Sequence, residues 1–309
     1  MDLSQGYFLT SMLTPRVIPF LCAITLSAQV SAQDAWQWRT AVSAMTGHYA
    51  DSMTLKNQSG LGLRISAEKD QTWGLTTGLQ TTRIDMQPNV PTGQQIQDDW
   101  LLSAWVHAPS TAWPGRWTFQ LDTYKSTHNA SSSNSSDVRT WAPKITWLAF
   151  GQALKMDLGY AHSKYKDTDP IHQVSASVAV GFNDAKDWIQ VRSTHINHLT
   201  PALALGHSRT RATDIKLTHL LSPHAAWTPT SITWGLERGQ KIYALDVDAQ
   251  YIYNLPMLNR GGENIAASWK LNPQTTLNVQ LSKNKYTADQ PFTHHFTFST
   301  LGIQLAKAW

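Results

Sequence analysis

The chain has 309 residues and a net charge of +4, with 41% hydrophobic and only 15% charged residues. No stretch after Ala32 offers the roughly 18 apolar residues of a membrane-crossing helix. The bases are dispersed along the chain, which argues against nucleic acid as a partner. Cys22 is the single cysteine, so no disulfide or thiolate chemistry is available to the residues that follow it.

The first residues read as a secretory leader. Arg16 precedes the apolar run Val17–Leu26, and Val30-Ser31-Ala32 supplies a small-x-small cleavage pattern. The expected organisation is a signal peptide over 1–32 and a mature chain over 33–309. Beyond Ala32 the composition is rich in Thr, Ser, Gln and Asn, with 14 Trp in the chain. That balance suits strands in which only every second residue is apolar.

Period-two segments follow one another from Trp36. Trp36, Trp38, Thr40, Val42 and Ala44 alternate with Gln37, Arg39, Ala41 and Ser43, giving one apolar and one polar face. Leu61–Ala67 and Trp73–Gln80 form a hairpin about Glu68–Gln71. Strands are expected next around Trp100–Ala108, Arg116–Asp122, Ile145–Ala149, Leu154–Tyr160 and Val174–Phe182. The remaining six are Trp188–Ile196, Arg211–Leu221, Thr230–Glu237, Glu263–Leu271, Thr276–Tyr286 and His294–Trp309. Compact connections such as Gly151–Ala153 and Asn272–Gln274 alternate with longer polar ones such as Arg83–Asp98 and Arg238–Gly262. Short turns at one end and long loops at the other belong to membrane-spanning barrels. The expected fold is all-β, a transmembrane antiparallel up-and-down β-barrel of 14 strands. The segment Tyr243–Tyr251 also alternates and is assigned to the sixth long loop; if it spans, the number becomes 12 or 16, since such barrels have even strand numbers. The low-complexity stretch His128–Asp137 is read as another outside loop.

Tryptophans such as Trp36, Trp73, Trp100, Trp117, Trp141 and Trp188 fall on or beside expected strand ends, where an interfacial ring can keep its polar edge wet. At the C-terminus, Leu301, Ile303 and Leu305 share a parity with the terminal Trp309, and Lys307 stands at a position of that series. This pattern resembles the assembly signal of outer-membrane β-barrel proteins as a class. The resemblance implies the Gram-negative outer membrane as location, the barrel-assembly machinery as a partner, and membrane lipid and lipopolysaccharide as surroundings. Phe296 and Phe298 have the opposite parity, so a β-bulge near Ser299–Gly302 is expected to reconcile the two.

With the apolar parity outward, the charged residues expected to line the interior are Arg39, Arg64, Arg116, Asp122, Lys144, Lys155, Asp157, Arg192, Asp214, Lys216 and Lys270. The excess of bases suggests a porin-like channel for small or anionic solutes. Alternatives are a structural, partner-binding or export barrel of the envelope, and a lipid hydrolase using Ser193, His195 and Asn197. The order Ser-x-His differs from the His-x-Ser of the outer-membrane phospholipase family, and no catalytic assignment is made. No cofactor is expected. Acidic pairs such as Asp167/Asp169 and Asp246/Asp248 lack calcium-loop spacing, so no metal site is expected either.

Overall fold

The computed structural model describes residues 36–309, apart from 91–92, 111–112, 130–136, 150, 152, 167–168, 223–226, 247–250, 253–256 and 289–292. The expected leader over 1–32, with Cys22, and most of the low-complexity loop lie outside the described residues. Fourteen strands close into one barrel. Its first seven are β1 (Trp36–Ala50), β2 (Leu55–Lys69), β3 (Trp73–Met86), β4 (Gln94–Ser110), β5 (Gly115–His128), β6 (Val138–Ala149) and β7 (Leu154–Lys164). The wall continues with β8 (Ile171–Phe182), β9 (Asp187–Asn197), β10 (Arg209–Leu220) and β11 (Ser231–Lys241). After two short strands, β12 (Leu245–Asp246) and β13 (Tyr251–Ile252), it resumes with β14 (Leu258–Asn272), β15 (Thr275–Ala288) and β16 (His294–Ala308). Each wall strand pairs with its neighbour in antiparallel fashion, β11 pairs directly with β14, and β16 closes on β1. The alternating segment 243–251 therefore contributes no wall strand; within it β12 pairs only with β13.

The outer surface follows from the period-two pattern. Leu61, Leu75, Leu79, Leu102, Leu121, Leu158, Val178 and Ile303 are each more than a third exposed. In water such a continuous apolar exterior would be unstable, whereas hydrocarbon suits it. Rings collect where the short turns leave the wall. Trp36 meets Trp73 edge-on at 4.9 Å between centroids, and Trp113 meets Trp147 edge-on at 5.8 Å. The Trp269 indole N–H donates to the Trp227 carbonyl at 2.9 Å. Lys307, out of place in an apolar series, sets its ammonium 3.7 Å from the Trp309 ring centroid, so its charge lies against a π face beside the terminus.

The strands are longer than the alternation alone indicates. β4 reaches 17 residues, against the roughly 9–11 that a tilted strand needs to cross hydrocarbon. The additions extend the wall at the end that carries the long connections, here called the loop end.

The expected bulge near Ser299–Gly302 is absent: β16 runs in unbroken register against both β15 and β1. The change of apolar parity has another cause. Phe296 and Phe298 point inward and are buried, while Leu301, Ile303 and Leu305 point outward and are exposed. The inner face itself turns apolar at the loop end.

Register does shift between Arg238 and Lys241 on β11, and between Asn259 and Gly262 on β14. Gly239 and Gly261 there hold φ of 112° and 98°, a region open to glycine and strained for other residues. The Gly261 N–H donates to the Asn259 side-chain oxygen at 2.7 Å, and a Cβ on Gly261 would lie 2.4 Å from the Glu237 carbonyl oxygen. These paired irregularities bracket the segment between β11 and β14. Gly261→Val should lower barrel stability by at least ~1–3 kcal/mol from backbone strain alone, read as an earlier midpoint of urea-driven unfolding from lipid vesicles.

Candidate functional site

The interior face differs at its two ends. At the loop end it is filled by two apolar clusters. One joins Leu101, Tyr124, Val138, Tyr165, Ile171 and Ile196 to Ile242, Tyr243, Ala244 and Leu245. Ile242–Leu245 are each 1–4% exposed, so this part of the sixth long connection packs inside the barrel. Burying a large apolar side chain contributes about 1.5–3 kcal/mol, enough for a few such residues to hold the segment in place. Polar contacts fix its path. The Tyr165 hydroxyl donates to the Tyr243 carbonyl at 3.2 Å, and the Gln173 amide both donates to and accepts from the Leu245 backbone, at 2.8 and 3.0 Å. Burial raises the pKa of the Tyr165 phenol well above its ordinary value and pushes that of Tyr243 up to about 12, so both stay neutral and act as hydrogen-bonding groups.

The second cluster lines the opposite wall with Tyr49, Leu55, Ile84, Tyr286, Phe296 and Phe298. Tyr49 stacks on Phe298 with centroids 4.1 Å apart, and Tyr286 on Phe296 at 5.4 Å. Together the two clusters cap the loop end.

Below the cap the interior is polar. Alternation places all eleven charged residues expected from the sequence on the inner face. Asp122 and Arg192 are buried, and Arg64, Lys144, Lys155, Asp157, Asp214 and Lys216 are half-buried. Arg39, Arg116 and Lys270 are exposed at the turn end; farther along the inner face Gln280 is exposed as well, and a Cβ on its partner Gly302 would meet nothing within 4 Å. The turn end is an open, basic vestibule.

Several of these charges are engaged. The Asp157 carboxylate accepts from the Thr146 and Ser177 hydroxyls at 2.6 and 2.7 Å, with the Lys155 ammonium at 3.6 Å and the Arg192 guanidinium at 4.0 Å. Asp122 accepts from the Gln120 amide at 2.8 and 3.0 Å and from the Tyr124 hydroxyl at 3.2 Å. A hollow in the wall is lined by Ser43, Arg64, Gln80, Asp99, Tyr124 and Gln304.

Sequence reasoning missed the ion cluster beneath the inserted segment. Lys241 sits 2.6 Å from Glu237 and 3.7 Å from Asp214. Glu237 and Lys241 belong to β11, but the sequence ended that strand at Glu237 and began a loop at Arg238. Asp99 and Glu68 were missed too, although each shares the parity of a neighbouring interior residue. With these groups, Lys241 joins eight bases while Glu68, Asp99 and Glu237 join three acids. The basic excess is therefore smaller than the sequence suggested. Arg39, Arg116, Lys155 and Lys270 lie toward the turn end, as do Glu68 and Asp157.

Ser193, His195 and Asn197 lie on the outer parity of β9. Among the described residues no hydrogen bond joins Ser193 to His195, the contact that nucleophilic catalysis would use. Among the described residues, no group of three His, Cys, Asp or Glu is arranged to hold a metal ion.

No family model matches the chain, and no curated protein matches its sequence. Solved structures do match. The toluene transporter TodX of Pseudomonas putida superposes with a TM-score of 0.54 at 8% identity, covering 89% of this chain and 90% of that one. A deltaS2 mutant of the TodX monoaromatic hydrocarbon channel gives 0.55 at 9% identity, with 90% of each chain covered. A bacterial polysaccharide outer membrane secretin gives 0.50 at 12%, covering 89% of this chain and 99% of the other. The likeness is one of fold.

Proposed function

We propose that the chain is an outer-membrane channel of porin-like kind, admitting small and preferentially anionic solutes. The observation that carries this reading is the open turn end, where Arg39, Arg116 and Lys270 are exposed on the inner face. A low-dielectric wall focuses the field of such charges and raises the local anion concentration. The apolar exterior, the aromatic rings near the turns and the presence of a transporter and a channel among the fold relatives support the membrane setting. In that setting the turn end faces the periplasm. Leu301, Ile303, Leu305 and Trp309, outward on the closing strand, are the proposed signal for the barrel-assembly machinery.

Selectivity tests the reading directly. In planar bilayers under a potassium chloride gradient, the reversal potential should report anion preference. The triple change Arg39→Glu, Arg116→Glu and Lys270→Glu should abolish or invert it. Cation preference in the unaltered protein would overturn the anionic part of the proposal.

The cap favours a second reading, in which the barrel stays sealed and serves to bind an envelope partner or to export a polymer once engaged. Conductance after removal of the inserted segment separates the two.

A further inference from the structure

Above the apolar belt, on the outside of the wall from β5 to β10, bases outnumber acids among the described residues. Lys125 on β5, Arg139 on β6 and Lys164 on β7 stand directly opposite one another in successive registers, all outward and all exposed. Directly opposed residues have Cβ atoms roughly 4.5–5.5 Å apart, and like charges at that spacing repel. Row by row toward the membrane the basic character continues. Trp141, His162, His172, Asn197 and Arg209 face each other in turn across the next row, and His195 faces Arg211 below it. The His162 and His172 rings lie 5.0 Å apart between centroids, and His198 adds a third ring 4.8 Å from His172.

Among the described residues, few acids reach this surface. Asp137 approaches Arg139 at 3.5 Å, with the carboxylate half exposed. Asp98 takes the Thr81 hydroxyl at 2.7 Å on the far side of β4. Asp169 stands exposed before β8. Elsewhere at the same height the charges are matched: Lys283 faces Glu263 directly, and Arg83 pairs with Asp85 at 3.1 Å. Within and below the basic rows the wall presents Trp141, Ile145, Leu158, Val174 and Val191, each 40–56% exposed.

A surface with several phosphate-binding groups above and a hydrocarbon-compatible face below is complementary to a molecule built the same way. We propose that the outer face of β5–β10 binds a phosphate-bearing lipid of the surrounding leaflet, headgroup on Lys125, Arg139, Lys164, Arg209 and Arg211 and acyl chains along the belt. Arginine is suited to the task because its planar fork can grip two phosphate oxygens at once. Lysine stems can lie along the apolar wall while the ammonium reaches outward. The opposed cations that repel one another in the bare protein would then share one anion between them. This site is distinct from the interior vestibule, and it rests on the membrane-spanning reading.

The test uses the purified barrel in an uncharged detergent. Native mass spectrometry or a fluorescence titration follows binding of diphosphorylated lipid A, with phosphate-stripped lipid A of the same acyl composition as comparison. The phosphorylated form should bind at least about tenfold more tightly, since several basic groups act on it at once. The quintuple change K125Q/R139Q/K164Q/R209Q/R211Q should remove that difference. K283Q/K285Q, at the same height elsewhere on the wall, should leave it intact. Equal binding of both lipids, or an unchanged preference in the quintuple variant, would overturn the proposal. So would displacement of the lipid by millimolar inorganic phosphate alone, which would indicate a free-anion site. Insertion into vesicles and conductance, measured on the same variants, report on the channel reading separately, because none of the five side chains faces the interior.

Discussion

Deleting Tyr243–Asn254 should raise single-channel conductance several-fold while the barrel remains folded. The segment enters the interior from the loop end and buries Tyr243, Ala244 and Leu245 against Tyr165, Ile171 and Ile196. A filled constriction of this kind sets the resistance of the whole path, however open the vestibule beneath it. Bilayer recordings of the deletion, compared with the intact protein at the same voltage, provide the measurement. No rise would place the barrier elsewhere in the cap, at Tyr49, Phe296 and Phe298, or support a sealed barrel that serves a partner. The widened channel should also show the proposed anion preference more clearly, because the path would no longer be dominated by neutral walls.

Replacing Lys241 by Met should be the most destabilising single change at the interior ion cluster. Its side chain is only 9% exposed and holds Glu237 at 2.6 Å and Asp214 at 3.7 Å. Without the ammonium, two carboxylates confront each other in a confined space. Breaking a buried pair in this way costs about 3–5 kcal/mol, which urea-driven unfolding from vesicles would register as a large fall in midpoint. Adding Glu237→Gln should recover part of the loss, because the double change removes the orphaned charge as well as its partner. By contrast Arg83→Gln, whose ion pair with Asp85 is largely solvent-exposed, should shift stability by no more than about 1 kcal/mol. A small effect at Lys241 would mean that the cluster is well hydrated from the vestibule.

Most of the wall was legible because hydrocarbon imposes one rule on every strand: residues of one parity must be apolar. Val174, Ala176, Val178 and Val180 announce β8 for that reason, and the same rule placed Arg39, Asp157 and Lys216 on the inner face. The rule fails above the hydrocarbon. There the outer face is polar and the inner face apolar, so Phe296 and Phe298 fall out of phase with Ile303 and suggested a bulge where none exists. The ends of β11 were lost for a related reason. Gly239 and the polar Gln240 read as loop, whereas they form an irregular strand end that carries Lys241 inward. The insertion of Tyr243–Leu245 left only a weak signal, an alternating segment too many for an even barrel. What those residues pack against is set by contacts far apart in sequence, with Gln173 and Tyr165, and no local pattern records them.

The direct pairing of β11 with β14 has a mechanical consequence. Every rung of the barrel wall is made without β12 or β13, so the described residues of the inserted segment contribute no strand to it. Its withdrawal therefore breaks contacts of packing and a few side-chain hydrogen bonds, but leaves the hoop of strands whole. Unblocking and unfolding are separate transitions, governed by different sets of interactions, and the first can be weakened by mutation or by a ligand at little expense to the second.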